Sequence, residues 1–255
     1  MTSIPIRAVV TGHSRGLGEA VADALLQRGV RVLALARASN RALAARHADA
    51  LVQVGLDLAD PQAVARWLDD GALARFVAGA ELVLLVNNAG TVQPIGPLPA
   101  QPPLAVASAV ALNVTAPLML SAALAALTAA PAAPAATSAA RLRVLHVSSG
   151  AGRNAYAGWS VYCATKAALD HHARAATADG APGVLVESLA PGVIDTAMQA
   201  ELRATDEARF PMRERFVALE RDGALASPAE AGERLVAHLL SARFARQPVS
   251  DLREI

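Results

Sequence analysis

Tyr162 and Lys166 stand four residues apart in SVYCATKAAL (160–169), and Lys166 is the only lysine among 23 Lys+Arg residues. On a helix this spacing puts both side chains on one face. An ammonium beside a phenol favours the phenolate, drawing down a pKa that starts near ~10. A tyrosine so tuned can give a proton to a carbonyl oxygen as hydride reaches the carbon, or take it back in reverse. Arginine would serve poorly, because a compact ammonium fits beneath a tyrosine and can still donate to a cofactor ribose. A solvated positive charge, the requirement elsewhere in the chain, is met equally well by arginine.

A second chemical feature is VVTGHSRGLGEAV (9–21), which follows an apolar strand and opens a helix. Gly12, Gly16 and Gly18, with Ser14, Arg15 and Leu17 between them, let the backbone turn tightly. A pyrophosphate can then approach the positive end of the helix. The same residues, GHSRG (12–16), also fit the nucleophile elbow of serine hydrolases, with Ser14 as nucleophile. That elbow would fall on the first strand, with no earlier loop to donate an oxyanion N–H, and would leave Gly18 unexplained. The dinucleotide loop is the preferred reading. The second strand ends LALARAS, with Ala36 and Arg37 and no acid, and Arg15 offers another guanidinium. Two arginines without a carboxylate favour the 2′-phosphate of NADP(H) over NAD(H).

These residues need a scaffold. Strands are predicted at 6–10, 30–35, 50–56, 82–86, 141–147 and 184–189, with a final one inside 247–252. Helices are predicted at about 15–29, 39–48, 60–78, 101–129 and 159–178. Near-continuous apolar strands alternating with helices indicate an α/β Rossmann-type doubly wound parallel sheet, covered on both faces. All 255 residues are read as one domain, with cofactor binding in about 1–150 and the catalytic helix and substrate cover in about 151–255. The charged, amphipathic stretch 195–223 suggests a weakly anchored cover. Ser227, Pro228 and Glu230 mark a helix start by capping box. TAAPAAPAATSAA (128–140) reads as a Pro-interrupted loop.

Composition narrows the function classes. Net charge is +1 and the arginines are scattered singly, which argues against nucleic acid. A single cysteine, Cys163, excludes an internal disulfide and any Cys-rich metal site. The N-terminus has no signal-peptide layout, so a cytoplasmic location is expected. The apolar segment 104–136 is long enough for a bilayer, but Asn113, Thr115, Pro117 and Ser121 interrupt it, so a buried helix and no membrane are expected.

The chain resembles the short-chain dehydrogenase/reductase family over essentially its whole length. The resemblance rests on TGHSRGLG (11–18), Asp57–Leu58, NNAG (87–90), Asn113 in ALNVTAP, Ser149 in HVSSG, YCATK (162–166) and PGVIDT (191–196). It implies a catalytic tetrad of Asn113, Ser149, Tyr162 and Lys166. Ser149 would hydrogen-bond the substrate carbonyl and Tyr162 would be the acid/base. Lys166 would tune Tyr162 and hold the nicotinamide ribose, supported by Asn113 through an ordered water. It further implies that Asp57 and Leu58 meet the adenine, that Asn88, Ala89 and Gly90 lie beside the adenosine ribose, and that Pro191, Gly192, Val193 and Thr196 follow the nicotinamide. The separation of Asn113 from Ser149 is longer than the family pattern, and the familiar glycine pair near the C-terminus is missing. The latter leaves the closing strand open.

TVQPIG after NNAG, Cys163 after the tyrosine, PGVIDTAMQ and the ending VSDLREI look like the sepiapterin reductase and benzil reductase branch. That resemblance implies NADPH-dependent reduction of vicinal dicarbonyl compounds. Asp251 would match the carboxylate that anchors a pterin, with solvated surface as the plainer reading. Tyr156 and Trp159 are candidates for the pocket wall. His146 is expected to be a core histidine, His171 and His172 to be solvated, and no metal site is expected. The apolar helices suggest a homodimer or homotetramer. Two alternatives to a carbonyl reductase remain: a 3-oxoacyl or other alcohol dehydrogenase of the same family, and a non-catalytic dinucleotide sensor, which would carry a damaged tetrad.

Overall fold

Seven runs rich in Val, Leu and Ala form the strands of one parallel sheet in the computed structural model, which describes residues 5–129 and 141–255. They are β1 (Ile6–Thr11), β2 (Arg31–Ala36), β3 (Leu51–Gly55), β4 (Leu82–Asn87), β5 (Leu142–Val147), β6 (Val184–Ala190) and β7 (Val249–Asp251), in the order β3-β2-β1-β4-β5-β6-β7. The strand order reverses between β1 and β4, and β1 pairs with both β2 and β4. A crevice opens there, at the carboxyl ends of the strands. This is the doubly wound Rossmann-type arrangement. The loop expected over 128–140 lies, from residue 130, outside the described residues, as do residues 1–4.

Successive strand residues feed two different cores. Ala8 and Val10, Val32 and Ala34, and Leu84 and Val86 pack on one face against α1 (Gly16–Gln27) and, later in the chain, α10 (Pro228–Leu240). Val9, Leu33 and Leu35, and Val83 and Leu85 pack on the other, with Trp67, Leu120, Leu124 and Ala173. Those four belong to α3 (Pro61–Asp69), α6 (Ala116–Thr128) and α7 (Ser160–Asp179). Each fully buried Leu or Val contributes about 1.5–3 kcal/mol. Where α1 meets α10 the backbones come close: a Cβ on Gly232 would lie 2.8 Å from Ala20 Cβ.

Three expectations are corrected. The helix expected over 60–78 is two, α3 and α4 (Ala72–Val77), after α2 (Arg41–Arg46), because Gly71 between them takes φ +77. The helix expected over 101–129 runs from α5 (Pro103–Val110) through a π-helical turn, Ala111–Thr115, into α6. Pro117 has no N–H to return to the Asn113 carbonyl four residues earlier, and the helix widens by one residue just before it. Pro103–Thr128 is long and apolar enough to cross a membrane, with 39% of its most apolar stretch buried. Ala109, Leu120 and Leu124 enter the core, while Leu104 stays exposed.

The third correction concerns the cover. α8 (Ala197–Ala204) and α9 (Arg213–Arg221) are firmly anchored, because Leu202, Phe210 and Phe216 join Val92, Ile95, Trp159 and Tyr162 in a third core. Phe210 stacks 4.9 Å from Trp159. Ser227 caps α10, accepting from the Glu230 N–H at 3.1 Å. β7 closes the sheet beside β6.

Candidate active site

A cleft of about 1170 Å³ runs along the carboxyl ends of the strands. Its first half is lined by Gly12, Ser14, Arg15, Gly16, Leu17 and Gly18, by Arg37, by Asp57 and Leu58, and by Asn88, Ala89 and Gly90. Its second half is lined by Ser149, Tyr156, Trp159, Tyr162, Lys166, Pro191, Gly192, Val193 and Thr196. The fold thus brings these sequence-predicted residues to one cleft. Asn113 and Asp251 are not on its surface.

The glycine loop is shaped by close approaches. Gly12 (φ +75) and Gly16 (φ +61) adopt left-handed backbone that favours glycine. A Cβ on Gly18 would stand 2.2 Å from the Gly12 carbonyl oxygen. The loop is held from β4: Asn88 Nδ2 donates to Thr11 O at 2.9 Å, and the N–H groups of Asn88 and Ala89 donate to Thr11 Oγ1 at 2.9 and 3.0 Å. Among the described residues no side chain caps α1, whose first turn, Gly16 to Gly18, lines the cleft beside exposed Arg15. An open, uncapped helix start over a glycine turn fits a pyrophosphate. Arg15 and Arg37 have no carboxylate partner among the described residues. Asp57 is exposed and accepts from the Ala59 N–H at 2.9 Å.

The reactive end lies between β5 and α7. Lys166 is 5% exposed and its Nζ donates to Val147 O at 2.7 Å. Its Nζ lies 5.6 Å from the centre of the Tyr162 ring. Tyr162 packs against Trp159 at 5.0 Å. Burial pushes the Tyr162 phenol up to about 12, opposed by the neighbouring Ser149 hydroxyl, and pushes Lys166 down to about 8, opposed by the Asp170 carboxylate. The expectation that Lys166 draws the phenol down is therefore corrected for the protein alone. Desolvation dominates the phenol, and the ammonium is directed at a backbone carbonyl.

Asn113 sits inside the π-helical turn, 1% exposed. Its Oδ1 accepts from the Thr91 N–H at 2.9 Å, and its Nδ2 donates to Thr91 O at 2.9 Å and Thr165 Oγ1 at 3.1 Å. It clamps the chain after NNAG to the helix of Lys166. A Cβ on Gly90 would lie 3.3 Å from Asn113 Oδ1 and 3.8 Å from Lys166 Nζ, so both head groups crowd one glycine.

Asp251 is 5% exposed and not solvated. Arg253 Nε and Nη2 donate to its two oxygens at 2.8 and 2.6 Å, and Arg153 lies 3.8 Å away. These guanidinium groups hold its carboxyl below the usual range. It presents no carboxylate to the cleft, where Arg253 stands instead. His146 is a buried core histidine, accepting from Asn87 Nδ2 at 3.1 Å and paired with His172 Nδ1 at 3.0 Å. His172 is therefore half-buried and engaged, where a solvated side chain was expected. His171 is exposed, and Cys163 is half-buried against the third core. No cluster of metal-ligating side chains is found among the described residues.

Sequence reasoning missed Asp170. It lies four residues after Lys166, 1% exposed, and accepts from Ser148 Oγ at 2.6 Å and Ser188 Oγ at 2.7 Å. It ties α7 to the ends of β5 and β6. The i+4 spacing from the only lysine was a visible signal; the two serines that hold it come together only in the fold.

The family profile for short chain dehydrogenase matches residues 7–207, which span both halves of this cleft. The chain belongs to the short-chain dehydrogenase family. A benzil reductase ((S)-benzoin forming) of Bacillus cereus is 32% identical over 226 residues, covering 86% of this chain and 88% of that one. A sepiapterin reductase of Mus musculus is 32% identical over 248 residues, covering 92% of each. The crystal structure of a short-chain dehydrogenase/reductase from Burkholderia vietnamiensis is 50% identical, covers 98% of each chain and superposes with a TM-score of 0.69. As a short-chain dehydrogenase, the protein is an NAD(P)(H)-dependent oxidoreductase acting on carbonyl and alcohol groups.

Proposed function

We propose that this short-chain dehydrogenase reduces a vicinal dicarbonyl compound with NADPH. The observation that carries the reading is one continuous cleft, with Arg15 and Arg37, which have no carboxylate partner among the described residues, at one end and Ser149, Tyr162 and Lys166 at the other. The similarity to a benzil reductase over most of both chains supports the substrate class.

The uncapped start of α1 would hold the pyrophosphate, Arg15 and Arg37 the 2′-phosphate, and Lys166 a ribose hydroxyl of the nicotinamide half. When bound, the reduced dinucleotide supplies the hydride that the carbonyl carbon accepts. Ser149 Oγ donates to the carbonyl oxygen. As the C=O bond becomes C–O, Tyr162 transfers its phenolic proton to that oxygen, giving the alcohol and a phenolate. The Lys166 ammonium, 5.6 Å from the centre of the ring, stabilises that phenolate. Asn113 acts one layer out, keeping Thr91 and the helix of Lys166 in register. The aromatic wall of Trp159, Tyr156 and Phe216 accommodates an apolar body on the substrate.

The test is NADPH oxidation at about 340 nm with benzil, an aliphatic diketone, sepiapterin and a 3-oxoacyl ester. Diketones should be the best substrates and NADH the poorer reductant. Tight NADPH binding without oxidation by any carbonyl would leave a dinucleotide sensor in its place. A preference for the 3-oxoacyl ester would move the substrate class within the family.

A further inference from the structure

The substrate half of the cleft is more basic than a neutral diketone requires, and its two arginines are held differently from those around them. Arg203 pairs with Glu220, Arg209 donates to Ile95 O, and Arg213 donates to Arg203 O. Each of these fastens the cover. Arg215, two residues further along α9, has no side-chain hydrogen-bonding or carboxylate partner among the described residues, and it lines the cleft. Its guanidinium lies 5.7 Å from the centre of the Tyr156 ring.

Arg253 lines the same cleft from the C-terminal side, within electrostatic reach of Tyr156. Nε and Nη2 are fixed in a bidentate bracket by Asp251, which also accepts from the Arg253 N–H at 3.0 Å. The remaining nitrogen, Nη1, has no protein partner among the described residues, and the side chain is 63% exposed along the cleft wall. A Cβ on Gly192 would lie 3.7 Å from its Cγ and Cδ. Tyr156 connects this region to the reacting end, since its hydroxyl lies 3.8 Å from where a Cβ on Gly150, the residue after Ser149, would be.

Acids are present but placed otherwise. Asp251 is neutralised by Arg253 and Arg153, and Glu201, which lines the cleft, is engaged by Gln93 Nε2, which donates to it at 2.6 Å. Asp195 lines the cleft beside Thr196, and Glu254 adjoins Arg253 outside it. Where a carboxylate anchoring a pterin is expected from the sequence, the cleft therefore presents a guanidinium oriented by that same carboxylate.

We infer that Arg215 and Arg253, flanking Tyr156, form an anion-recognising mouth, and that the preferred substrate is a ketone carrying a carboxylate on an apolar or aromatic body. The inference rests on the carbonyl reductase reading above and narrows it. A guanidinium with one free edge, rigidly held, pairs with a carboxylate oxygen at little ordering cost. A charged group there also distinguishes a keto acid from its ester, which an apolar wall alone would do weakly.

The experiment compares phenylglyoxylate with its methyl ester, using NADPH and benzil as a neutral reference. The acid should exceed the ester in kcat/KM by about tenfold or more, and raising the ionic strength should erode the difference. Arg215→Gln and Arg253→Gln should each lower the acid-to-ester ratio by about tenfold through the KM of the acid, with partial recovery in Arg215→Lys. Arg215 is exposed, so its variant should keep the fold even if loss of the bracket on Asp251 disturbs the other. If ester and benzil are reduced but the acid is not favoured, or if Arg215→Gln leaves the ratio unchanged, the anion site is wrong while the reductase reading stands. If none of the three carbonyls oxidises NADPH, both fall.

Discussion

Lowering the pH from about 7.5 to about 5 should destabilise the protein by about 2 kcal/mol through one side chain, His146. It is fully buried in β5, between Asn87 and His172, and burial with the nearby His172 and Lys166 charges pushes it down to about 3. In the unfolded chain the same imidazole titrates near ~6.5. The unfolded state therefore takes up a proton first as the pH falls, and stability is lost progressively from about pH 6.5 down to about pH 3. At about pH 5 roughly 1.5 units of that window have been crossed, which gives the ~2 kcal/mol at 1.36 kcal/mol per unit. His172 is depressed by partial burial and adds in the same sense. Asp23 and Asp251, held low by their cationic partners, lose their contribution only below about pH 4. Urea unfolding followed by the fluorescence of Trp67 and Trp159 reads the effect. In His146→Gln the baseline should be lower, but the loss between the two pH values should shrink to well under about 1 kcal/mol. Equal pH dependence in the two proteins would refute the reasoning.

Other expectations follow from single contacts. Gly18→Ala should cost at least about 1–3 kcal/mol, since the added Cβ meets the Gly12 carbonyl and Asn88 Nδ2. An unchanged Tm would show that the loop can yield. Arg37→Asp should shift the NADPH-to-NADH ratio of kcat/KM by about tenfold or more toward NADH, and no shift would remove Arg37 from the 2′-phosphate site. Asp170→Asn removes the charge that opposes deprotonation of Lys166, held at about 8. Carbonyl reduction should then begin to fall at lower pH than in the unaltered protein, as measured by kcat/KM profiles; superimposable profiles would make Asp170 a structural tie alone.

Most of the scaffold was legible because parallel strands buried on both faces need continuous apolar runs, and IRAVV, LVLLV and VLVESL supply them. Helix interruptions were harder. Gly71 could be tolerated within a helix or break it, and the sequence contains nothing that decides between them. Asn113 stood out as a polar residue in an Ala/Leu helix, but the π-helical turn around it depends on how Pro117 is accommodated. The cleft residues of the glycine loop and of YCATK were visible because their function fixes both residue type and spacing. The burial of Asp251 is not legible in the sequence because its partners, Arg153 and Arg253, meet it only when β7 docks beside β6. Arg215 could not be told from the arginines near it until the fold showed which of them had partners. The raised pKa of Tyr162 is hidden for a related reason: spacing shows that a lysine is near, whereas burial depends on the whole third core.

The central claim, that Tyr162 supplies the proton and Lys166 must be an ammonium of lysine's shape, is tested most directly by turnover of benzil with NADPH in three proteins. The unaltered chain should oxidise NADPH, while Tyr162→Phe and Lys166→Arg should each lower kcat by about a hundredfold or more with NADPH binding still detectable by fluorescence. Near-normal turnover in either variant would contradict the account.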